Sequence, residues 1–400
     1  MSKEKFETVL DYGSSKLRIG IIDKNFPKNK FFLDQNIIDD SRIDEFNFEN
    51  HGQKIYELIK KAEKKTNSYL NDINLMIDTK NFFCIDIALN KIFNNRLVKS
   101  KDIKNLLNIL NSLIKNHYSK YKIIHFIVTR IVIDKKEFNN FPENINCEVL
   151  IIEVKFICLP SDIVNQLSEN FKRNFLSIKK IYCTSYIKSY CIKDYFDKYE
   201  NKFFFDVGYE KSCLVIYCEN KIKLVKFFPL GGNHITKDIA RIFKISMVEA
   251  EKIKKNLNNS NITFSNQSDE KNNMSITNHL KNILDRNIDA ELLKRVVFAR
   301  IDEIINFIFQ DIDYSYLIKN SESSVLIFTG EGSKILNKNS IFLDEKFNYF
   351  NEINFFDENS TLVCDSGYKF ITTDKPHEIS VVPKKIGKYG FFEKIFNYLK

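Results

Sequence analysis

Residues Phe203–Lys254 read FFFDVGYEKSCLVIYCENKIKLVKFFPLGGNHITKDIARIFKISMVEAEKIK. Three apolar runs, Phe203–Val207, Cys213–Cys218 and Leu224–Pro229, are short, rich in aromatic and β-branched residues, and separated by polar turns. That pattern predicts a strand meander. Asp206 and Gly208 stand at its first turn, and Gly231 and Gly232 break the chain before a helix with Ile235, Ile239, Ile242 and Phe243 on one face. Ser246 and Glu249 have capping-box spacing for a second helix. A carboxylate on a tight turn between strands, followed by a glycine pair at a helix start, suits Mg²⁺ and nucleotide phosphates. Taken alone, the stretch equally suits an ordinary hairpin followed by a capped helix.

It has a counterpart. The N-terminal VLDYGSSKLRIGIID overlays without a gap on FFDVGYEKSCLVIYC, placing Asp11 on Asp206, Gly13 on Gly208, Lys16 on Lys211, Ile19 on Leu214 and Ile21 on Ile216. A strand–Asp–x–Gly–strand unit heading each half implies a duplicated fold with a cleft between the halves. Such a duplication resembles the actin-like ATPase superfamily, in which the two turns are phosphate loops.

Four hundred residues suffice for two or three domains with cores of their own. The net charge of +9 is spread thinly over helix faces, so it does not argue for nucleic acid. Eight cysteines form no CxxC pair, and Cys84, Cys158, Cys213 and Cys364 lie in apolar runs, which fits reduced core thiols of a cytosolic protein. No signal peptide and no apolar run long enough to cross a bilayer are expected. His117, His125 and His234 lack metal-ligand spacing, and no nucleophile triad assembles.

Along the chain, a loose polar stretch at Lys24–Asn50 precedes a helix carrying Ile55, Leu58, Ile59 and Ala62, then strands at Ile73–Ile77 and Phe82–Leu89. A smaller αβ unit spans about 94–160, its helix marked by Ile103, Leu106, Leu107, Leu110 and Ile114. Ser161 is expected to cap the next helix, which leads through a strand at Ile178–Tyr182 to a helix near Ser185–Tyr195. An Asn/Ser-rich loop fills Asn256–Asn278, and an amphipathic helix follows at Asp289–Gln310. Strand Val325–Thr329 runs into Gly330-Glu331-Gly332-Ser333, and the chain closes on a weakly patterned stretch, a basic linker and GFFEKIFNYLK.

In this order the segments resemble the FtsA family of bacterial cell-division proteins over nearly the whole chain. LDYGSSK is similar to that family's first phosphate loop, LDIGTSK; FFPLGGNHITKDIA is similar to its YAGNxxTxDIA stretch, and EAEKIKK to its AExIK helix. SVLIFTGEGSKI takes the place of its adenosine loop, GIVLTGGA. The 94–160 unit stands where the family carries its inserted subdomain, 1C. The resemblance implies an α/β, actin-like ATPase fold: two duplicated ribonuclease H-like halves around a nucleotide cleft. It divides the chain into 1A (1–93 and 161–200), 1C, 2A (201–232 and 321–374, returning to 1A), 2B (233–320), a linker (375–388) and a membrane-targeting helix (389–400).

It also implies a site. Asp11 and Asp206 would hold Mg²⁺ through water, and Gly13, Ser14, Ser15, Lys16, Gly208, Lys211, Ser212 and Gly232 would cradle the phosphates of ATP. Glu251 and Lys254 would meet the ribose, and Gly330 and Gly332 the adenosine. Lys294, Arg295 and Arg300 fall where the family receives the C-terminal tail of the tubulin-like FtsZ. Tyr209 and Glu210 depart from the pattern by standing where the second loop has glycines whose bare amides approach phosphate, and Glu331 replaces another glycine. A carboxylate about 4 Å from a phosphate charge costs roughly 4 kcal/mol at an effective dielectric near 20. Efficient hydrolysis is therefore not expected.

At the C-terminus, Phe392, Ile395, Phe396 and Leu399 recur at helical spacing beside Phe391, with Lys388 and Lys394 adding charge. That arrangement suits reversible attachment to an anionic membrane surface. The implied function is a cell-division scaffold that binds ATP, self-assembles and anchors FtsZ at the cytoplasmic face of the inner membrane, where later division proteins join. The alternatives are a PilM-like pilus-assembly homologue and, in a different class, a small-molecule kinase of the same superfamily.

Overall fold

The computed structural model describes residues 5–37, 48–141, 144–259, 288–310, 323–336, 347–373, 375 and 377–379. The chain forms two compact units: residues 1–84 with 159–374, and residues 85–158 with 375–400.

The first unit holds two five-stranded sheets of identical topology. Strands β1 (Phe6–Tyr12), β2 (Lys16–Asp23), β3 (Lys30–Asn36), β4 (Asp72–Ile77) and β9 (Ser177–Cys183) make one, in the order β3-β2-β1-β4-β9. Strands β10 (Asn201–Val207), β11 (Ser212–Cys218), β12 (Lys221–Phe228), β13 (Ser324–Thr329) and β14 (Glu352–Phe355) make the other, in the order β12-β11-β10-β13-β14. Each is an antiparallel meander joined on its first strand to a parallel pair. The overlay read from the sequence holds to the residue. Asp11 pairs with Arg18 where Asp206 pairs with Cys213, and Gly13 N donates to Lys16 O (3.1 Å) as Gly208 N donates to Lys211 O (2.9 Å). This duplicated architecture is the actin-like ATPase fold.

Phenylalanine builds the second sheet's core. Phe203, Phe205, Phe228 and Phe328 are buried on the face covered by α5 (Gly232–Phe243), α6 (Met247–Asn259) and α7 (Ala290–Phe309). Phe205 and Phe328 meet edge to face at 6.0 Å, and Phe328 stacks on Phe355 at 4.9 Å. The capping box read for α6 is present, with Ser246 N donating to Glu249 Oε2 (2.8 Å) and Glu249 N to Ser246 Oγ (3.2 Å). On the first sheet, α1 (Phe48–Thr66) packs on β2 and β3, and α3 (Ser161–Arg173) on β9. A last helix, α8 (Ser360–Thr372), returns to pack on β1, β2 and α4 (Thr184–Ile192).

Three elements depart from the sequence reading. The supposed loose stretch contains β3, and the weakly patterned end contains β14 and α8. The cap expected of Ser161 is absent because Pro160 takes the cap position. Ser161 becomes the first helical residue, too far along to reach the next amides, and its hydroxyl is buried without a partner among the described residues.

The second unit is a four-stranded sheet, ordered β5 (Phe83–Val98), β8 (Ile145–Pro160), β6 (Tyr121–Ile133) and β7 (Lys136–Phe138). It is covered by α2 (Ser100–His117), which buries Ile103, Leu106, Leu110 and Ile114. Residues 377–379 pair with β6: Val128 N donates to His377 O (2.7 Å) and Ile379 N to Phe126 O (2.8 Å). His125, read as structural, is buried against Glu378 at 2.9 Å.

Candidate functional site

Side chains at the ends of β1 and β10, beyond the end of β4 and at the end of β13 meet around the start of α4 in the first unit. Asp11 is buried, accepting from Arg18 Nη1 (2.7 Å) across the hairpin and from Thr184 Oγ1 (2.9 Å) at the start of α4. Burial pushes its carboxyl up, against the opposing charge of Arg18. Asp206 is also buried, but its cation comes from the other half. Lys188 Nζ on α4 donates to Asp206 Oδ1 (2.9 Å) and to Glu358 Oε1 (2.8 Å). Ser185 Oγ donates to Asp206 Oδ2 (2.6 Å), and Thr329 Oγ1 adds a longer bond at 3.3 Å. Glu358 further accepts from Gly330 N at 3.1 Å.

Lys211 behaves unlike its counterpart Lys16. Lys16 pairs with Asp34 (3.3 Å) in a partly exposed contact, whereas Lys211 is buried, with its Nζ 2.9 Å from Asp78 of the first half. The same Nζ lies 3.3 Å from Ser185 Oγ and 4.7 Å from the Phe227 ring centroid. Asp78 also accepts from Ser185 N (3.2 Å), and its Oδ2 lies 2.7 Å from Ser185 Oγ, whose one proton serves either Asp78 or Asp206. Lys188, Lys211, Ser185, Asp78, Asp206 and Glu358 thus form one bonded cluster that crosses from sheet to sheet. Asp78, Ser185, Lys188 and Glu358 were not read from the sequence. Each lies outside a recognisable motif, and only the crossing of α4 between the halves joins them.

The second turn folds back on α5. Gly232 N donates to Gly208 O (2.9 Å) and Asn233 N to Tyr209 O (2.7 Å), so the helix's first amides are already taken. The approach is close: a Cβ on Gly231 would lie 2.6 Å from Gly208 O and from Tyr209 O. Gly330 has φ +86°, and a Cβ there would meet Val207 O at 2.4 Å, so only glycine fits. Gly332 lies against Val207 and Gly208, and Ser212 Oγ donates to Leu230 O (2.7 Å). The Glu210 carboxylate turns to Asn233 Nδ2 (2.6 Å).

Glu251 and Lys254 pair with each other at 2.6 Å. Lys254 Nζ also donates to Gly232 O (3.0 Å) and Thr236 Oγ1 (2.8 Å), which uses all three ammonium protons. It lies 5.3 Å from the centre of the Tyr209 ring, and burial lowers its pKa. Gly13, Ser14, Ser15 and Lys16 form the half-buried first turn.

A second concavity lies between α5 and α7, lined by Asp238, Ile242, Leu292, Arg295, Val296, Ala299, Arg300 and Glu303. Arg300 is held by Asp238 (2.6 and 3.1 Å) and Glu303 (2.5 Å). Arg295 is exposed on the same wall, and Lys294 does not line the groove. Phe391, Phe392, Ile395, Phe396, Leu399, Lys388 and Lys394 lie outside the described residues. Among those described, no helix is long and apolar enough to cross a membrane.

The family model for cell division protein FtsA matches residues 204–340. Cell division protein FtsA of Helicobacter pylori is 24% identical over 132 residues, covering 33% of this chain and 27% of that protein. The Buchnera aphidicola protein of the same name is 21% identical over 201 residues, 50% of this chain and 47% of that one. The chain therefore spans between about a quarter and a half of the curated relatives it matches. Among solved structures, a chain of the PilM–PilN type IV pilus biogenesis complex shares the fold. Its TM-score is 0.58 at 13% identity, over 89% of each chain.

Proposed function

We propose that this chain is an actin-like cell-division scaffold of the FtsA kind, binding the C-terminal tail of FtsZ in the groove between α5 and α7. The observation that carries the reading is the FtsA match over 204–340, which contains both walls of that groove. Leu292 and Val296 offer apolar contact, and Arg295 an exposed cation. That combination suits a short, amphipathic, acidic peptide. Arg300 is already neutralised by Asp238 and Glu303, so Arg295 supplies the unspent charge at the rim. Attachment to the inner face of the membrane would fall to the C-terminal helix read from the sequence. Self-assembly would then multiply many weak attachments into a firm one.

Titration of a fluorescent FtsZ tail peptide tests the reading. Saturable, salt-sensitive binding is expected, weakened about tenfold by Arg295→Glu. A peptide that fails to bind, or that binds the variant as well as the parent, removes the groove as the FtsZ site.

The PilM-like alternative is supported by the shared fold alone. It calls for a pilus-protein peptide instead, so the same titration with both peptides separates the two.

A further inference from the structure

The fold is one in which ATP and Mg²⁺ are expected between the halves, and the residues of the second turn and of the cluster around it do not fit them. A Mg²⁺–phosphate site needs carboxylates free to take metal-bound water, and backbone amides or cations free to take phosphate oxygens. Here Asp206 and Glu358 share the Lys188 ammonium, and Asp78 holds that of Lys211. The amides at the start of α5 are spent on Gly208 O and Tyr209 O, and the Lys254 protons on protein acceptors. Among the described residues, no three His, Cys, Asp or Glu side chains are grouped to hold an ion. Arg18 Nε is a spare buried donor in the cleft, too little alone for a polyphosphate.

We infer that Lys188 and Lys211 take the place of metal and phosphate, latching the two halves of this chain together without nucleotide. Lys211 comes from the second half and pairs with Asp78 of the first. Lys188 comes from the first half and pairs with Asp206 and Glu358 of the second. The two bonds run in opposite directions across the cleft, and the Ser185 hydroxyl lies between them, within hydrogen-bond distance of both Asp78 and Asp206 with one proton to give to either. Opening the cleft would separate every one of these pairs, leaving buried charges uncompensated. None of these pairs involves a residue that lines the groove between α5 and α7, so the latch does not depend on the FtsZ reading.

The test uses the full chain. With millimolar Mg²⁺ and the non-hydrolysable analogue AMPPNP, calorimetry is expected to give no binding heat, and the melting temperature is expected not to move. A measurable Kd, or a rise in melting temperature beyond scatter, overturns the latch while leaving the FtsZ groove untouched. A double-mutant cycle of Lys211→Met and Asp78→Asn supplies the second arm. The coupling expected across the cleft is at least about tenfold in the unfolding equilibrium, with the double variant recovering part of the single-variant loss. Additive effects of the two substitutions overturn the proposal even where the analogue does not bind.

Discussion

At the scale of single residues, the cleft is a contest between burial and charge. Burial works to lower the Lys188 ammonium pKa, yet Asp206, Glu358 and Asp78 push it above the usual lysine range. The same contest at Lys211, with Asp78 the largest opposing charge and Asp206 adding to it, ends the same way. Burial pushes the Asp206 carboxyl up, but Lys188 and Lys211 hold it below the usual range. A lysine raised in the folded state stabilises fully below its ordinary pKa, about 10.4, and loses that contribution as pH rises through the folded value. A depressed Asp206 contributes above about pH 4 and loses its contribution as pH falls through the lower folded value. Asp11 and Glu358 are raised, chiefly by burial, and so oppose folding once they ionise. Lys188→Met, leaving Asp206 and Glu358 facing each other, is expected to cost about 3–5 kcal/mol in urea unfolding at pH 8. The gap between parent and variant is expected to narrow above about pH 10, where Lys188 of the unfolded parent begins to lose its proton while the folded one keeps it. A gap unchanged at high pH would show that the Lys188 charge does not carry the effect.

At the scale of elements, what was legible followed from what local sequence can encode. The paired hairpins stood out because an Asp-x-Gly turn between alternating apolar runs is a strong local signal, and it recurs. Strand β3 was missed because KFFLDQN sits at a sheet edge with little buried surface and polar residues on both faces. Helix α8 was missed because it packs through small residues rather than an apolar stripe: Cys364, Ser366 and Gly367 are its buried face beside Val363 and Phe370. A Cβ on Gly367 would lie 2.4 Å from Met76 Sδ and 2.7 Å from Val9 Cγ1, and one on Gly20 of β2 would lie 2.7 Å from Cys364 Cβ. Two glycines thus let the helix lie close on the sheet. Gly367→Val is expected to cost about 1–3 kcal/mol through overpacking, read as a lower urea midpoint with an unchanged slope. A variant as stable as the parent would mean that α8 is free to shift outward. The cleft's own residues show the same limit. Tyr209, Glu210 and Lys211 announced in sequence that the second loop had changed, but their partners Asp78 and Asn233 are set by tertiary crossing alone.

For the whole molecule, the duplicated sheets give an actin-like body, and the FtsA family match lies over 204–340, which includes α5 and α7 on either side of the groove. If the cleft is latched as proposed, nucleotide would not time any assembly that the chain undergoes. The central claim is that this chain bridges FtsZ to an anionic bilayer. Co-sedimentation of FtsZ polymers with phosphatidylglycerol-containing vesicles tests it most directly, run with the full chain, with Arg295→Glu and with a chain lacking Gly390–Lys400. The full chain is expected to carry FtsZ into the vesicle pellet with or without ATP. The Arg295→Glu chain is expected to pellet without FtsZ, and the truncated chain to stay in the supernatant while still binding the FtsZ tail peptide. FtsZ left in the supernatant beside vesicle-bound full chain would contradict the account.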